Sequence, residues 1–360
     1  MARFPEVFAD VTKEGHKIAK EYYLPNGQYP IIDQGQDCIA GYWNEETGLY
    51  DDVPAIIFGD HTRIIKYVDI PCFLGADGVK LLKPVLKNTN CKYLYYALCS
   101  AKIPNTGYNR HFKWLKEVDI PIPSLAVQTH IAAVLDKVCD LISLRKQQLA
   151  KLDELVKARF VEMFGDPQNS ACVLLEDISE LVTVGIANSA THAYSETGTV
   201  MLRNQNIKEN FLDECDLLYI DPKFANKYKT KALKENDILV IRTGYPGTAC
   251  LVPKKYEGAQ TFTTLIVRLK EKLLVSPVYV CQYINSEFGK AYVSNTKVGV
   301  AQQNFGAKVL AKMPIMLPHF ELQEKYADFL KQIDNQKLTI QQSLGKLEVL
   351  KKTLMQEYFG

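Results

Sequence analysis

Two stretches of the chain carry apolar residues at a seven-residue spacing. In the first stretch this apolar row consists of Leu135, Ile142, Leu149, Val156 and Met163, with Val138 and Leu152 beside it. In the second stretch the row consists of Ile333, Ile340, Leu347 and Leu354. This period predicts two helices that each bury one apolar stripe, and two such stripes suit an antiparallel or crossed coiled-coil pair.

The same two stretches are copies of one another. Residues 123–165 align with residues 318–360 at an offset of 195 positions without a gap. Matched identities at the start, middle and end of the alignment include Pro123 with Pro318, Gln128 with Gln323, Leu152 with Leu347, and Phe164 with Phe359. A shared proline start, a shared Phe-Gly end and an ungapped middle indicate an internal duplication.

Both copies predict helices of unusual length. No glycine or proline interrupts residues 124–164, whereas a helix of a globular domain has about 11 residues. A helix of roughly 36 residues is about 54 Å long, which exceeds one DNA turn of about 34 Å. A single helix of this kind would most simply brace one core. Two equivalent helices, separated by segments of a different texture, instead indicate two equivalent domains that are each followed by a helix.

The segments before the helices have short apolar runs, aromatic residues and Gly or Pro breaks, which predict mixed strands and turns. Asp237–Arg242 is a predicted strand that runs into the turn 243–247, and Ala55–Phe58 runs into the turn 59–63. The predicted fold class is therefore α+β, with two mixed α/β domains, two long antiparallel coiled-coil helices and an internal pseudo-twofold duplication. The predicted boundaries are 1–122 for the first domain, 123–165 for its helix, 166–317 for the second domain and 318–360 for its helix.

Composition limits the function classes only weakly. The 360 residues are 47% hydrophobic and 23% charged, with a net charge of +2, so no strong basic balance indicates a nucleic-acid partner, although a local basic face remains compatible with one. The nine cysteines form no CxxC pair, so we expect no zinc site, reduced thiols and a cytoplasmic location. We also expect no membrane span, because no run of about 20 apolar residues occurs.

Polar groups beside the predicted turns are the candidate binding residues. Asn, Gln and Arg can make paired hydrogen bonds to base edges, and Lys suits phosphates; the simpler alternative is that these residues cap turns and helices. The candidates in the first domain are His61, Arg63, Arg110, His111 and Lys113. The candidates in the second domain are Arg203, Asn204, Gln205, Arg242, Tyr245, Gln302, Gln303, Asn304 and Lys308.

Two proline-containing segments open the repeated helices. They are IPIPSLAVQ at Ile120–Gln128 and MLPHFELQ at Met316–Gln323. Together with the duplication, with YPIIDQGQ at residues 29–36 and with residues 233–252, they resemble the specificity (S, HsdS) subunit of type I restriction-modification systems over essentially the whole chain. Two features depart from that family's pattern: Met316 stands where the first copy has Pro121, and the first 25 residues show no strand-rich entry.

The resemblance implies a division of labour. Each domain would act as a target recognition domain that reads one half of a split site on double-stranded DNA, and the helices would set the unread spacer between the halves. The same helices would dock two methyltransferase (M) subunits, which hold S-adenosylmethionine and flip the target adenine, and restriction (R) subunits are an optional further partner. This chain itself would bind no cofactor and would have no catalytic residues.

Two alternatives from other classes remain at this point. The first is a DNA-cleaving or other enzyme that uses Asp33, Asp60 and Asp237 as metal ligands, although scattered Asp residues are common in turns. The second is a coiled-coil scaffold that binds only protein. The six histidines show no HExxH spacing, and no GxGxxG or GxxxxGK[ST] loop is present, so the sequence supplies no motif for catalysis.

Overall fold

A computed structural model describes residues 1–75, 77–165, 172–187, 191–296 and 305–360. The chain divides into two compact units. The first unit consists of residues 1–148 together with residues 340–360, and the second consists of residues 149–339. Among the described residues, no helix is long and apolar enough to cross a membrane.

The described residues of the first unit form nine strands and three short α-helices before the long helix. Its strands are β1 Ala2–Arg3, β2 Phe8–Asp10, β3 Tyr29–Ile32, β4 Gly41–Trp43, β5 Ala55–Gly59, β6 Ile65–Val68, β7 Phe73–Leu74, β8 Val79–Pro84 and β9 Asp119–Ile120. Its short helices are α1 Phe4–Val7, α2 Cys91–Ser100 and α3 Phe112–Leu115, and the long helix α4 Leu125–Phe164 follows them.

The second unit repeats this plan with additional short elements. Its strands are β10 Cys172–Leu174, β11 Ser179–Val184, β12 Tyr194–Ser195, β13 Thr199–Leu202, β14 Ile207–Lys208, β15 Phe211–Leu212, β16 Leu218–Ile220, β17 Ile238–Val240, β18 Ala249–Leu251, β19 Gln260–Thr261, β20 Leu265–Leu269 and β21 Pro314–Met316. Its helices are α5 Leu175–Ile178, α6 Pro222–Lys227, α7 Pro277–Asn285, α8 Glu287–Asn295, α9 Ala307–Ala311 and the long α10 Phe320–Phe359.

Three sheets of the first unit have counterparts in the second, which adds a strand to one of them and a further two-stranded sheet, β14-β15. An antiparallel sheet has the order β2-β8-β5-β6 in the first unit and β11-β20-β17-β18 in the second. A second sheet contains a parallel pair, β3 with β7 in the first unit and β13 with β19 in the second. In each unit the opening strand pairs with the strand that precedes the long helix, β1 with β9 and β10 with β21. The predicted duplication and the α+β class are therefore confirmed.

The N-terminal segment does contain strands, contrary to the expectation from the sequence. Strands β1 and β2 are the counterparts of β10 and β11 by their pairing. They contain only two and three residues, which is too short for an alternating apolar pattern to be recognised. By contrast, all five residues of the central strand β5 are buried, so this strand was visible as a continuous apolar run.

The long helices pair in antiparallel fashion within each unit. Lys146 of α4 lies 3.8 Å from Glu348 of α10 in the first unit, and Asp153 of α4 lies 2.6 Å from Lys337 of α10 in the second. The residue numbers rise along α4 as they fall along α10. Of the apolar positions chosen from the sequence, two are buried, Leu135 and Ile333, and six are half-buried: Ile142, Leu149, Leu152, Ile340, Leu347 and Leu354.

The ends of the long helices pack against the short helices α2 and α7. The Tyr93 ring of α2 lies 5.3 Å from the Phe359 ring, and its hydroxyl donates to the carbonyl of Pro121 at 2.9 Å. In the second unit the Tyr279 ring lies 4.8 Å from Phe164, and its hydroxyl donates to the carbonyl of Met316 at 2.7 Å. The contact uses a backbone carbonyl, which any residue offers, so methionine can replace the first proline of the repeat.

Candidate nucleic-acid interface

In each unit the end of a parallel strand meets the turn of a hairpin. Strand β3 and the β5–β6 turn meet in the first unit, and strand β13 and the β17–β18 turn meet in the second. The parallel register pairs Ile32 with Leu74 and Leu202 with Thr261, so Gln34 and Asn204 hold equivalent positions just after the strand. Both are amide side chains that tie the strand end to the turn.

Gln34 makes this connection in the first unit. Its Oε1 accepts a hydrogen bond from the backbone N–H of His61 at 3.2 Å, and its carbonyl accepts one from the Thr62 hydroxyl at 2.7 Å. Its Nε2 donates to the carbonyl of Asp77 at 3.1 Å. A Cβ atom at Gly78, which has a φ of +83°, would come within 2.6 Å of that Nε2, so the glycine makes room for the connection.

Asn204 makes the equivalent connection in the second unit with a shorter side chain. Its Nδ2 donates to the carbonyl of Thr243 at 3.3 Å and to the Thr243 hydroxyl at 3.1 Å. Its Oδ1 accepts from the Thr264 hydroxyl at 3.4 Å. Because all of these partners are in the protein, Asn204 serves to hold the turn rather than to present a free amide at the surface.

The turn of the first unit presents aromatic and basic side chains. The His61 ring stacks on Tyr108 with 4.7 Å between ring centroids and an angle of 8° between the planes, and Tyr108 is 88% exposed. Arg63 has a φ of +62° and its Nη1 donates to the carbonyl of Ile103 at 3.4 Å. Arg110 and Lys113 are exposed. Exposed aromatic rings next to cations suit contact with nucleic acid.

His111 is placed differently from the other candidates of the first domain. It is 0% exposed, and its Nδ1 lies 3.0 Å from the carbonyl oxygen of Asp60. Its backbone N–H donates to the same carbonyl at 2.8 Å. A side chain without exposed surface cannot reach a base edge from this position, so His111 is not expected to contact DNA, contrary to the prediction from the sequence.

The turn of the second unit presents a different set. Tyr245 is 83% exposed between two glycines of positive φ, Gly244 and Gly247. Gln205 and Lys308 are exposed, and Arg203 and Arg242 are half-buried. The candidates Gln302, Gln303 and Asn304 lie outside the described residues.

Several residues of these sites were not among the candidates chosen from the sequence. They include Gln34, Tyr108 and Thr243. Gln34 lies in the segment YPIIDQGQ, and Tyr108 lies in a Gly-Tyr pair that parallels Gly244-Tyr245. The Gly-Tyr parallel was a usable signal, but the roles of Gln34 and Thr243 depend on strand register.

The acidic residues considered as metal ligands are engaged elsewhere. Asp60 accepts from the backbone N–H of Phe112 at 2.7 Å, and Asp237 lies 2.7 Å from Arg268. Asp33 accepts from the backbone N–H of Gly35 at 2.8 Å. No group of three or more His, Cys, Asp or Glu side chains that could hold a metal ion occurs among the described residues.

Solved structures share this architecture. The S subunit of a type I restriction-modification system from M. genitalium superposes with a TM-score of 0.61 at 16% identity, covering 99% of this chain and 95% of that one. A chain from a structure on complex assembly and conformational transition of the type I R-M system gives a TM-score of 0.56 at 12% identity, with coverage of 99% and 95%. At these identities the likeness establishes the fold.

Sequence comparisons establish the family. The model of the type I restriction modification DNA specificity domain matches residues 6–154 and 167–352. The specificity subunit of EcoR124I/EcoR124II from Escherichia coli is 24% identical, over 95% of this chain and 87% of that protein. The MjaVIII specificity subunit of Methanocaldococcus jannaschii is 24% identical, over 79% of this chain and 74% of that protein.

These matches show that the chain is a non-catalytic DNA-recognition subunit. The chain belongs to the type I restriction-modification DNA specificity family, and its role is recognition of the DNA target.

Proposed function

We propose that the chain reads a two-part target on double-stranded DNA, with one half-site for each unit. The observation that carries this proposal is the duplicated site, in which Gln34 and Asn204 fasten equivalent hairpin turns to equivalent strand ends. The two sites share the strand pairing and the amide connection, whereas the turns, 59–64 and 241–248, differ in length and in their side chains. Two similar frames with different side chains suit the reading of two different short sequences.

The proposed contacts fall into two sets. In the first unit they are His61, Arg63, Tyr108, Arg110 and Lys113. In the second unit they are Arg203, Gln205, Arg242, Tyr245, Gln302, Gln303, Asn304 and Lys308, with Asn204 as a positioning residue. Arginine and amide side chains would contact base edges, and exposed lysines would contact phosphates.

The long helices would carry the rest of the assembly. Helices of 40 residues each, which are about 60 Å long, would set the number of unread base pairs between the half-sites. They would also dock two methyltransferase subunits, on which S-adenosylmethionine is bound, and restriction subunits would join the same complex. The relatives are specificity subunits of type I restriction enzymes, which supports this assignment of partners.

The test uses the chain assembled with its methyltransferase subunits. Sequencing of methylated adenines in exposed DNA is expected to show a motif of two short parts separated by a fixed number of unread positions. Arg63→Ala should weaken discrimination in one part, Arg242→Ala in the other, and neither should change subunit assembly as measured by native mass spectrometry. A single continuous motif would contradict the proposal, as would variants that both act on the same part.

A further inference from the structure

Arg242 begins the hairpin turn of the second unit. Its Nε is buried without a hydrogen-bond partner, and among the described residues its side chain forms no ion pair or hydrogen bond. A buried donor without a partner lowers stability, and folded proteins keep few of them. A side chain held in this way is expected where binding, rather than stability, depends on it.

The first unit fills the equivalent position with a residue of opposite character. The hairpin registers pair Phe58 with Ile65 and Val240 with Ala249, which makes Asp60 and Arg242 equivalent. Asp60 is 4% exposed, and its carboxylate accepts the backbone N–H of Phe112 at 2.7 Å. One unit therefore uses this position to fasten a loop, whereas the other presents an unmatched guanidinium.

The residues that follow the parallel strands β3 and β13 also differ in charge, with an aspartate in the first unit and an arginine in the second. Asp33 in the first unit lies 3.5 Å from Lys66, so its charge is balanced. The equivalent Arg203 in the second unit donates to the carbonyl of Asp216, and its Nε is also buried without a partner. Arg203 and Arg242 flank the Asn204–Thr243 connection, and among the described residues neither has a carboxylate partner. The second site thus holds two positive charges that no carboxylate of the described residues balances.

We propose that Arg242 reads the major-groove edge of a guanine in the half-site of the second unit, and that the first unit reads its half-site without an equivalent contact. This inference rests on the proposed function. The planar fork of a guanidinium matches the O6 and N7 acceptors of guanine. Arg242 is half-buried at the root of a hydrogen-bonded turn, so its guanidinium has less freedom than that of a fully exposed arginine, which suits a base. Exposed lysines such as Lys308 suit phosphates better.

The experiment uses the complex with its methyltransferase subunits and the motif mapped by methylation. Duplexes carry 7-deazaguanine, which lacks the N7 acceptor, in place of each guanine of the motif in turn. At one guanine in one half-site, the wild-type complex is expected to lose part of the about 5- to 150-fold in affinity that the complete pair with O6 and N7 contributes. The Arg242→Met complex should bind the unmodified duplex with a larger loss, because both hydrogen bonds are removed, and should not respond to the modified base.

Two further variants separate reading from stability. Arg242→Lys keeps the charge but not the fork, so it should lose discrimination at that base while it retains general affinity for DNA. Arg242→Met should unfold at the same temperature as the wild type or at a higher one, because the unpaired donor is removed. Arg3→Met, which changes an exposed arginine of the first unit, is the matched control and should behave as wild type.

The inference is overturned if 7-deazaguanine has no effect at any guanine of the motif, if neither half-site contains a guanine, or if Arg242→Met weakens binding equally to all duplexes. The last result would identify a phosphate contact. Failure of the proposed function is distinguishable, because the wild-type complex would then methylate no two-part motif.

Discussion

Gln128 and Gln323 make the same hydrogen bonds in the two units, and both side chains are 0% exposed. Oε1 of Gln128 accepts from the backbone N–H of Asn90 at 2.9 Å, and Oε1 of Gln323 accepts from that of Ser276 at 2.8 Å. Each Nε2 donates at 2.8 Å to the carbonyl of the proline that opens its own repeat. The repeated glutamine therefore fastens the start of each long helix to the start of a short helix, α2 in the first unit and α7 in the second.

Replacement of either glutamine should weaken only its own unit. Gln128→Met or Gln323→Met leaves a buried N–H and a buried carbonyl without partners, which should lower the free energy of unfolding by about 1–3 kcal/mol. Hydrogen–deuterium exchange should speed up in α2 for the first variant and in α7 for the second. Gln147→Met, at an exposed position of α4, is the control. Unchanged exchange in both α2 and α7 would show that these hydrogen bonds do not stabilise the two short helices.

The phenylalanine at the end of each long helix should stabilise only the unit whose short helix it packs against. Phe359→Ala should destabilise the first unit and Phe164→Ala the second, because these rings pack on Tyr93 and Tyr279. For the well-buried Phe164 the loss should be about 3–5 kcal/mol, and for the half-buried Phe359 it should be smaller. Hydrogen–deuterium exchange, which reports local unfolding, measures the loss of stability in each unit. Phe211→Ala, at a position that is 60% exposed, should have little effect, and an equal loss there would discredit the packing explanation.

Removal of one partner of the buried ion pair in the second unit should lower stability more than removal of both charges. Asp237 is 1% exposed, and its carboxylate accepts from Nε and Nη2 of Arg268 at 2.8 and 2.7 Å. Arg268→Met leaves a buried carboxylate uncompensated, which should cost about 3–5 kcal/mol. The double variant Arg268→Met/Asp237→Asn should recover part of the loss in a urea titration. Lys255→Met, which breaks an exposed pair with Glu214, is the control and should cost less than about 1 kcal/mol.

Two buried thiols should make stability sensitive to alkaline pH. Burial raises the pKa of Cys72 and that of Cys250 from 9 to about 12. The unfolded chain therefore releases these protons near pH 9 while the folded chain keeps them, so the stabilisation is complete below pH 9 and declines as pH rises toward 12. The urea midpoint should fall from pH 8 to pH 10.5, and less steeply in a Cys72→Ala/Cys250→Ala variant. At pH 8 a thiol reagent should modify the exposed Cys38 and should leave Cys72 and Cys250 unmodified until the chain unfolds.

The long helices and the duplication could be predicted because their signals are local. A seven-residue apolar period over 40 residues and an ungapped alignment need no knowledge of tertiary contacts. Strands β1 and β2 were missed because two or three residues show no period, and their assignment depends on partners that are far away in the chain.

The sites were predicted in outline but not in detail. Arg63, Arg242 and Tyr245 could be chosen because each lies in a turn directly after an apolar run that the sequence shows to be a strand. The role of Gln34 depends on a turn 27 residues later, and the burial of His111 depends on the carbonyl of Asp60, which is 51 residues earlier. Polar residue type alone cannot distinguish a side chain that faces solvent from one that fastens a loop.

The packing of Phe359 against the first unit has a consequence for biosynthesis. The second unit is one continuous stretch, 149–339. The first unit also includes residues 340–360, whose apolar side chains pack against its hydrophobic core. On the ribosome, domains commonly fold as they emerge, starting from the N-terminus. Here we expect the reverse order: the second unit can finish folding while the first still lacks residues 340–360, the second half of α10, and the apolar face that receives Phe359 stays uncovered until they emerge.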